Sequence, residues 1–402
     1  MKQPEGHLTL HLYRKDEVLA GLRWAIITRN SREAIFWGIE LFDSDMEQAG
    51  LEMLEFVWLT HIGFGSMELV RRICEIYTMG ELDRDTWISL LFDATRIRAQ
   101  DSSILHLLIR GASMPDTWKP TYKHSATYRS PTEAFMDALQ RGKIVEAWLL
   151  ARAIPVEEQW QHLETAATKA GRTSELAMIR SLTLSDVEQR AAAFILVSMD
   201  PHHWRKANVE LATMELPREL KGLMDEWDSE ESLRKRRVYA IRPESMLYLC
   251  ERSQQPVGES NESDIQYGLL STLKESPYWQ NVLSEYMDDT NTWKSDLHHE
   301  MFYETYFSQV IDEIPDEWSL ADREKSHGRG LGRFDKAAAL QRFLNVSLQR
   351  TDSIGLWVPS KPAVELVSMD WTSIYNEKEL KCAEYLNSVV PLKPIQKVFE
   401  VC

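Results

Sequence analysis

The chain has 402 residues, with 44% hydrophobic and 27% charged residues, a net charge of −16 and a pI of about 5.2. That length supports two or three domains with a sizeable core, and the composition is that of a globular protein. The acidic balance repels phosphate backbones at long range, so any nucleic-acid contact needs a local basic patch.

The four cysteines, Cys74, Cys250, Cys382 and Cys402, lie far apart with no C-x-x-C pair and no zinc spacing. Cys74 sits in the apolar run VRRICEIY and reads as a buried thiol. This usage fits a reducing compartment. The first residues lack the apolar core of a signal peptide and the Arg/Ser-rich pattern of a transit peptide, and no stretch is apolar enough for a membrane span. The expectation is a soluble, intracellular protein of cytoplasm or nucleus, with a virion left open.

Residues 1–112 read as a run of amphipathic helices. The first carries Val18, Leu19, Leu22, Ala25 and Ile26 on one face. Ser31 is the expected cap of REAIFWGIELF, and Asp43-Ser44-Asp45 breaks it. The next run, MEQAGLEMLEFVWLTHIG, reads as one helix with Leu51, Leu54, Val57 and Trp58 in a stripe. Gly63-Phe64-Gly65-Ser66 then forms a turn and an N-cap for MELVRRICEIYTM, which Gly80 ends. Asp85-Thr86-Trp87 opens a fifth helix and Asp101-Ser102-Ser103 a sixth, up to Gly111.

Residues 111–131 hold three prolines and read as a surface loop. Helices resume over residues 131–226 as short segments broken by Gly or Pro or capped by Ser, which predicts an array of helical hairpins continuing the first domain. From residue 227 an acidic cluster, a basic tetrad and a polar stretch mark a boundary. The segment 227–402 is then expected to be a second, Trp/Tyr-rich domain, mostly helical with long irregular loops. Few segments alternate with period 2, so the predicted fold class is all-α or nearly so. No repeat with a fixed period emerges.

The sequence contains no G-x-x-x-x-G-K-[ST] loop and no G-x-S-x-G elbow, which excludes nucleotide hydrolysis by the first machinery and acyl transfer by the second. The Gly/Arg stretch 327–333 lacks a preceding strand, so the dinucleotide fingerprint fails and a loop is the plainer reading. Asp296, His298, Glu300 and Glu304 fall close together on one predicted helix. His298, Glu300 and Glu304 offer an imidazole and two carboxylates to a metal, yet the H-E-x-x-H order is missing and a solvated acidic face is the favoured reading. Neither a catalytic residue nor a cofactor site is predicted, and an enzyme is the less favoured reading.

Arg234, Lys235, Arg236 and Arg237, followed by Tyr239 and Arg242, form the densest positive patch. Arg grips phosphate with two donors and Tyr stacks on a base, so this is the candidate contact for DNA or an acidic partner. The competing reading pairs it with the acidic run just before it, 225–231. Trp37, Trp58, Trp87 and Trp148 fall on helical apolar faces and are predicted core. Trp279, Trp293 and Trp318 fall near turns and are expected as exposed interface anchors, since aromatics dominate binding hot spots. Trp318 lies in a run dense in aromatics and acids, 302–324.

Two resemblances follow from these residues. Residues 31–73, with Ala34-Ile35-Phe36-Trp37 and the acidic link Asp43 and Asp45, are similar to the helical collar of AAA+ clamp-loader-like ATPases, although the Arg-Arg pair of that pattern is displaced or missing. That resemblance implies an oligomerising helical region without the ATPase domain. The run KRRVYAIRPESMLYL with the later IPDEWSLADREKSHG resembles a family of uncharacterised proteins encoded by large DNA viruses of eukaryotes, which transfers no functional residue. The expected role is a non-enzymatic helical scaffold or oligomerisation module in a viral replication or virion-associated assembly. Its partners would be other proteins or copies of itself. A nucleic-acid-binding replication accessory and a metal-dependent enzyme are the alternatives.

Overall fold

The computed structural model describes residues 8–11, 13, 15–97, 101, 103–112, 130–200, 204, 216–227 and 273–306. Helix accounts for 77% of the described part, with almost no strand, so the fold is all-α. Among the described residues no helix is long and apolar enough to cross a membrane. The chain divides into two compact, discontinuous units. One is residues 1–51, 83–95 and 214–340; the other is 52–82, 96–213 and 341–402.

The first unit holds α1 (Lys15–Ile27), α2 (Ser31–Phe42), the start of α3 (Glu47–Val57) and α5 (Arg84–Arg96). It also contains three later helices, numbered in chain order α12 (Arg218–Trp227), α13 (Pro277–Tyr286) and α14 (Asp296–Tyr306). Helical glycines let these elements approach closely. A Cβ on Gly21 of α1 would come within 2.8 Å of the Trp37 indole on α2. One on Gly38 of α2 would overlap Leu91 of α5, and one on Gly50 of α3 would lie 2.7 Å from the Trp87 ring. The fully buried Trp87 indole therefore beds against two glycines, and its Nε1 donates to the Gly38 carbonyl at 2.8 Å. Glycine costs helix stability on its own, and dense packing offsets that here.

The cap of α2 is Asn30, not Ser31: the Asn30 side chain accepts from the Glu33 amide, and the Ser31 hydroxyl instead meets Thr95 Oγ1 at 2.7 Å. Ser31 is already helical, so its side chain is too far along to reach the free amides. Tyr13 is fully buried edge-on against Trp37, with ring centroids 5.2 Å apart. Beside it, both oxygens of the buried Glu40 on α2 are engaged by His11, from the backbone amide at 3.0 Å and from Nδ1 at 2.7 Å.

The second unit holds the rest of α3, then α4 (Met67–Met79), α6 (Ser103–Ala112), α7 (Pro131–Gln140), α8 (Ile144–Ala151), α9 (Val156–Ala170), α10 (Thr173–Ser181) and α11 (Asp186–Ser198). The helix expected to run unbroken to His61 and Ile62 does not. After Val57 the chain widens into a π turn, Trp58–Ile62, and tightens into a 3-10 turn, Gly63–Gly65. Two features hold the switch. The Trp58 Nε1 donates to the Ser66 carbonyl at 3.2 Å. Gly63 adopts φ +49 where a side chain would collide with the Asp101 carbonyl.

Ser66 and Gly80 cap α4 as the sequence predicts, the first by accepting from Leu69 N, the second in the left-handed conformation. Helix α11 is buried along Ala191–Ala192–Ala193–Phe194–Ile195–Leu196, more than one face, because α6, α8, α9 and α10 all pack on it. Phe194 meets Phe135 of α7 and Trp148 of α8 edge-on at 5.7 and 5.2 Å. The buried Arg172 guanidinium donates to the carbonyls of Leu196 and Met199, closing the end of α11, and lies 5.0 Å over the Trp204 ring.

Candidate interaction surface

Three predicted core tryptophans, Trp37, Trp58 and Trp87, are essentially inaccessible, and Trp148 is nearly so. The predicted anchors divide differently. Trp279 is not exposed: it is 1% accessible and central to a cluster with Leu8, Leu273, Leu283, Met287 and Phe302. Its Nε1 donates to the Thr9 carbonyl at 2.8 Å. A position near a turn suggested exposure, but Pro277 opens α13 and Trp279 sits a half-turn inside it, facing residues 8–9 of the distant segment. Trp293 is half-buried, edge-on to His299 at 4.9 Å and tilted against Phe302 at 5.4 Å. Trp318 lies outside the described residues, as do Arg234, Lys235, Arg236, Arg237, Tyr239 and Arg242.

The α13–α14 hairpin that carries Trp279 and Trp293 is built around one carboxylate. Asp288 Oδ1 accepts from the amides of Thr290 and Thr292 and from the Thr290 hydroxyl, while Oδ2 accepts from the Thr292 hydroxyl. These bonds, led by the Thr290 hydroxyl, pull the Asp288 pKa down to about 2. Asn291, tolerant of the left-handed region, takes φ 62 at the tip. Lys294 then folds back and donates to the carbonyls of Ser284 and Glu285, the last turn of α13. The turn fixes the direction in which α14 leaves.

On α14, His299, Phe302 and Tyr306 face inward, spaced three and four apart, with Phe302 fully buried. The other side presents Leu297 and Met301, 61% and 44% exposed and one turn apart. Beside that pair run Asp296, Glu300 and Glu304, all exposed and each one turn from the next. An apolar pair on the solvent face of a helix whose core face is already filled is the unusual feature of this unit.

His298, half-buried, has its Nδ1 2.7 Å from Ser295 Oγ, which also accepts the His298 amide and so caps α14 locally. Glu300 and Glu304 point to solvent, and no group of three or more His, Cys, Asp or Glu positioned to hold a metal forms among the described residues. Leu297 and Met301 escaped sequence reasoning, although their four-residue spacing, out of phase with Phe302 and Tyr306, carried the signal.

In the second unit the chemically distinctive group is Glu55, fully buried near the end of α3. Its Oε1 accepts from Tyr77 at 2.6 Å, and its Oε2 accepts from the Thr183 amide and hydroxyl at 2.8 and 2.7 Å. Burial raises its pKa despite those bonds. It ties α3 and α4 to the link between α10 and α11, a structural pin rather than an open site. Cys74 is half-buried on α4 near Ser181, and burial likewise pushes its thiol up, away from reactivity.

No protein-family model, no curated protein and no solved structure matches this chain.

Proposed function

We propose that this chain is a helical scaffold that docks other proteins through the outward face of α14. The observation that carries the reading is the adjacent exposure of Leu297 and Met301 on a helix anchored from behind by Phe302 and held at its start by the Asp288 turn. Leaving that much apolar surface in water costs solubility, and docking recovers it. A face fixed by a packed hairpin is also preorganised, which lowers the entropy cost of binding. A role as an assembly module, in replication or in a virion, is the larger setting to which this reading belongs.

The test is photo-crosslinking with p-benzoylphenylalanine placed at position 297 or 301, against a control at Gln280 on the exposed side of α13. Discrete adducts from 297 and 301, absent from 280, are expected with a partner protein. Equal or no adducts from all three positions would refute the docking role.

A further inference from the structure

We infer that the partner docked on α14 is a cationic amphipathic helix, which seats its apolar stripe on Leu297 and Met301 and sets Lys or Arg against Asp296, Glu300 and Glu304. The inference rests on the docking role proposed for α14 and adds the chemistry of what docks.

The geometry selects that class by elimination. The apolar pair and the acidic row lie side by side along the same exposed surface, each with one-turn spacing. A surface of that form is matched by another helix carrying an apolar row flanked by a charged one. The charge must be positive. The sequence of α14, DLHHEMFYETY, contains no Lys or Arg, and the nearby Lys294 is spent on the α13 carbonyls. A nucleic acid or an anionic membrane would meet the acidic row with its phosphates and be repelled. A second copy of α14 would bring one acidic row against the other, and its own sequence holds no Lys or Arg to relieve it. A partner with Lys or Arg at one-turn spacing turns the same row into a source of attraction and of orientation.

The apolar pair and the acidic row have separable roles. Leu297 and Met301 supply burial and so set how long the complex lasts, whereas the exposed carboxylates are screened by salt and set encounter rate and selectivity.

The experiment uses the full chain and three labelled helical peptides of about 18 residues with one shared leucine stripe, the remaining positions being Lys, Gln or Glu. Binding is read by fluorescence anisotropy at low and moderate salt. The Lys peptide is expected to bind at least tenfold more tightly than the Glu peptide, and the difference shrinks with salt. Leu297→Asp with Met301→Asp abolishes binding. Glu300→Lys with Glu304→Lys weakens the Lys peptide roughly tenfold and improves the Glu peptide, a rescue that loss of folding cannot produce. All four positions are exposed, and unchanged circular dichroism is expected for each variant.

Equal binding of the Lys peptide to wild type and to both variants would overturn the inference, because diffuse attraction to an acidic protein would then explain it. Equal binding of all three peptides, lost with the apolar variant, would overturn the partner chemistry while sustaining the docking face. No binding by any peptide would overturn the inference; the docking role itself falls only if positions 297 and 301 also fail to crosslink.

Discussion

Gly38→Ala and Gly222→Ala make the same chemical change in two helices and should move stability in opposite directions. In a helix interior, alanine is favoured over glycine by about 1 kcal/mol. Gly222 of α12 is exposed, and a Cβ there meets nothing within 4 Å. Gly222→Ala should therefore stabilise the protein by roughly 0.5–1 kcal/mol. At Gly38 the new methyl would overlap Leu91 and press to 3.2 Å from the Trp87 Nε1. Both neighbours are fully buried, so neither can swing into water. Overpacking of this kind costs about 1–3 kcal/mol, and disturbing the Trp87 bond to the Gly38 carbonyl adds about 1 kcal/mol. Against the propensity gain, the net loss is about 1–3 kcal/mol. Urea titrations followed by tryptophan fluorescence, with both variants in parallel, read the difference directly. If Gly38→Ala matched or exceeded wild type while Gly222→Ala behaved as expected, the close approach of α2 and α5 would be wrong.

Glu55→Gln should leave the fold intact, because its amide can still accept from Thr183 and donate to Tyr77. Since the folded state holds the Glu55 proton above the ordinary carboxyl range, the wild-type contribution is fully present below that range and is lost as pH rises through the raised value. The stability of Glu55→Gln relative to wild type should therefore climb over that window, and parallel pH curves would contradict it. Trp279→Ala should cost about 3–5 kcal/mol through the emptied cluster. Trp279→Phe should cost less, about 1–2 kcal/mol for the Thr9 carbonyl left without its partner, and a surface-like loss under 0.5 kcal/mol for either would show that the residue is not core. Asp288→Ala should speed amide exchange at Thr290 and Thr292, the two amides its carboxylate holds; unchanged protection there would mean that the turn is set by other contacts.

How much of this could be read from the sequence depended on the range of the forces involved. Capping is local, so Ser66 and Gly80 announce α4. Apolar periodicity likewise marked most of the helices and the burial of Trp37, Trp58 and Trp87. What escaped was set by distant partners. Gly38 looks like a weak point in a helix until Trp87 is placed beside it, and the π turn at Trp58 depends on Ser66 and on Asp101. Trp279 was misjudged because the group that buries it, the segment at Leu8 and Thr9, is about 270 positions away. On α14 the carboxylates and histidines drew attention to metal chemistry, while the two apolar residues between them carried the surface.

That long reach has a consequence for synthesis. Ser276 and Trp279, which receive Leu8 and Thr9, are made about 270 residues after them. At typical elongation rates of ~5–20 residues per second, the waiting time is roughly 10–50 s. Throughout that interval Leu8 lacks the hairpin that completes its cluster. A nascent chain halted before α14 should be the form that chaperones hold longest.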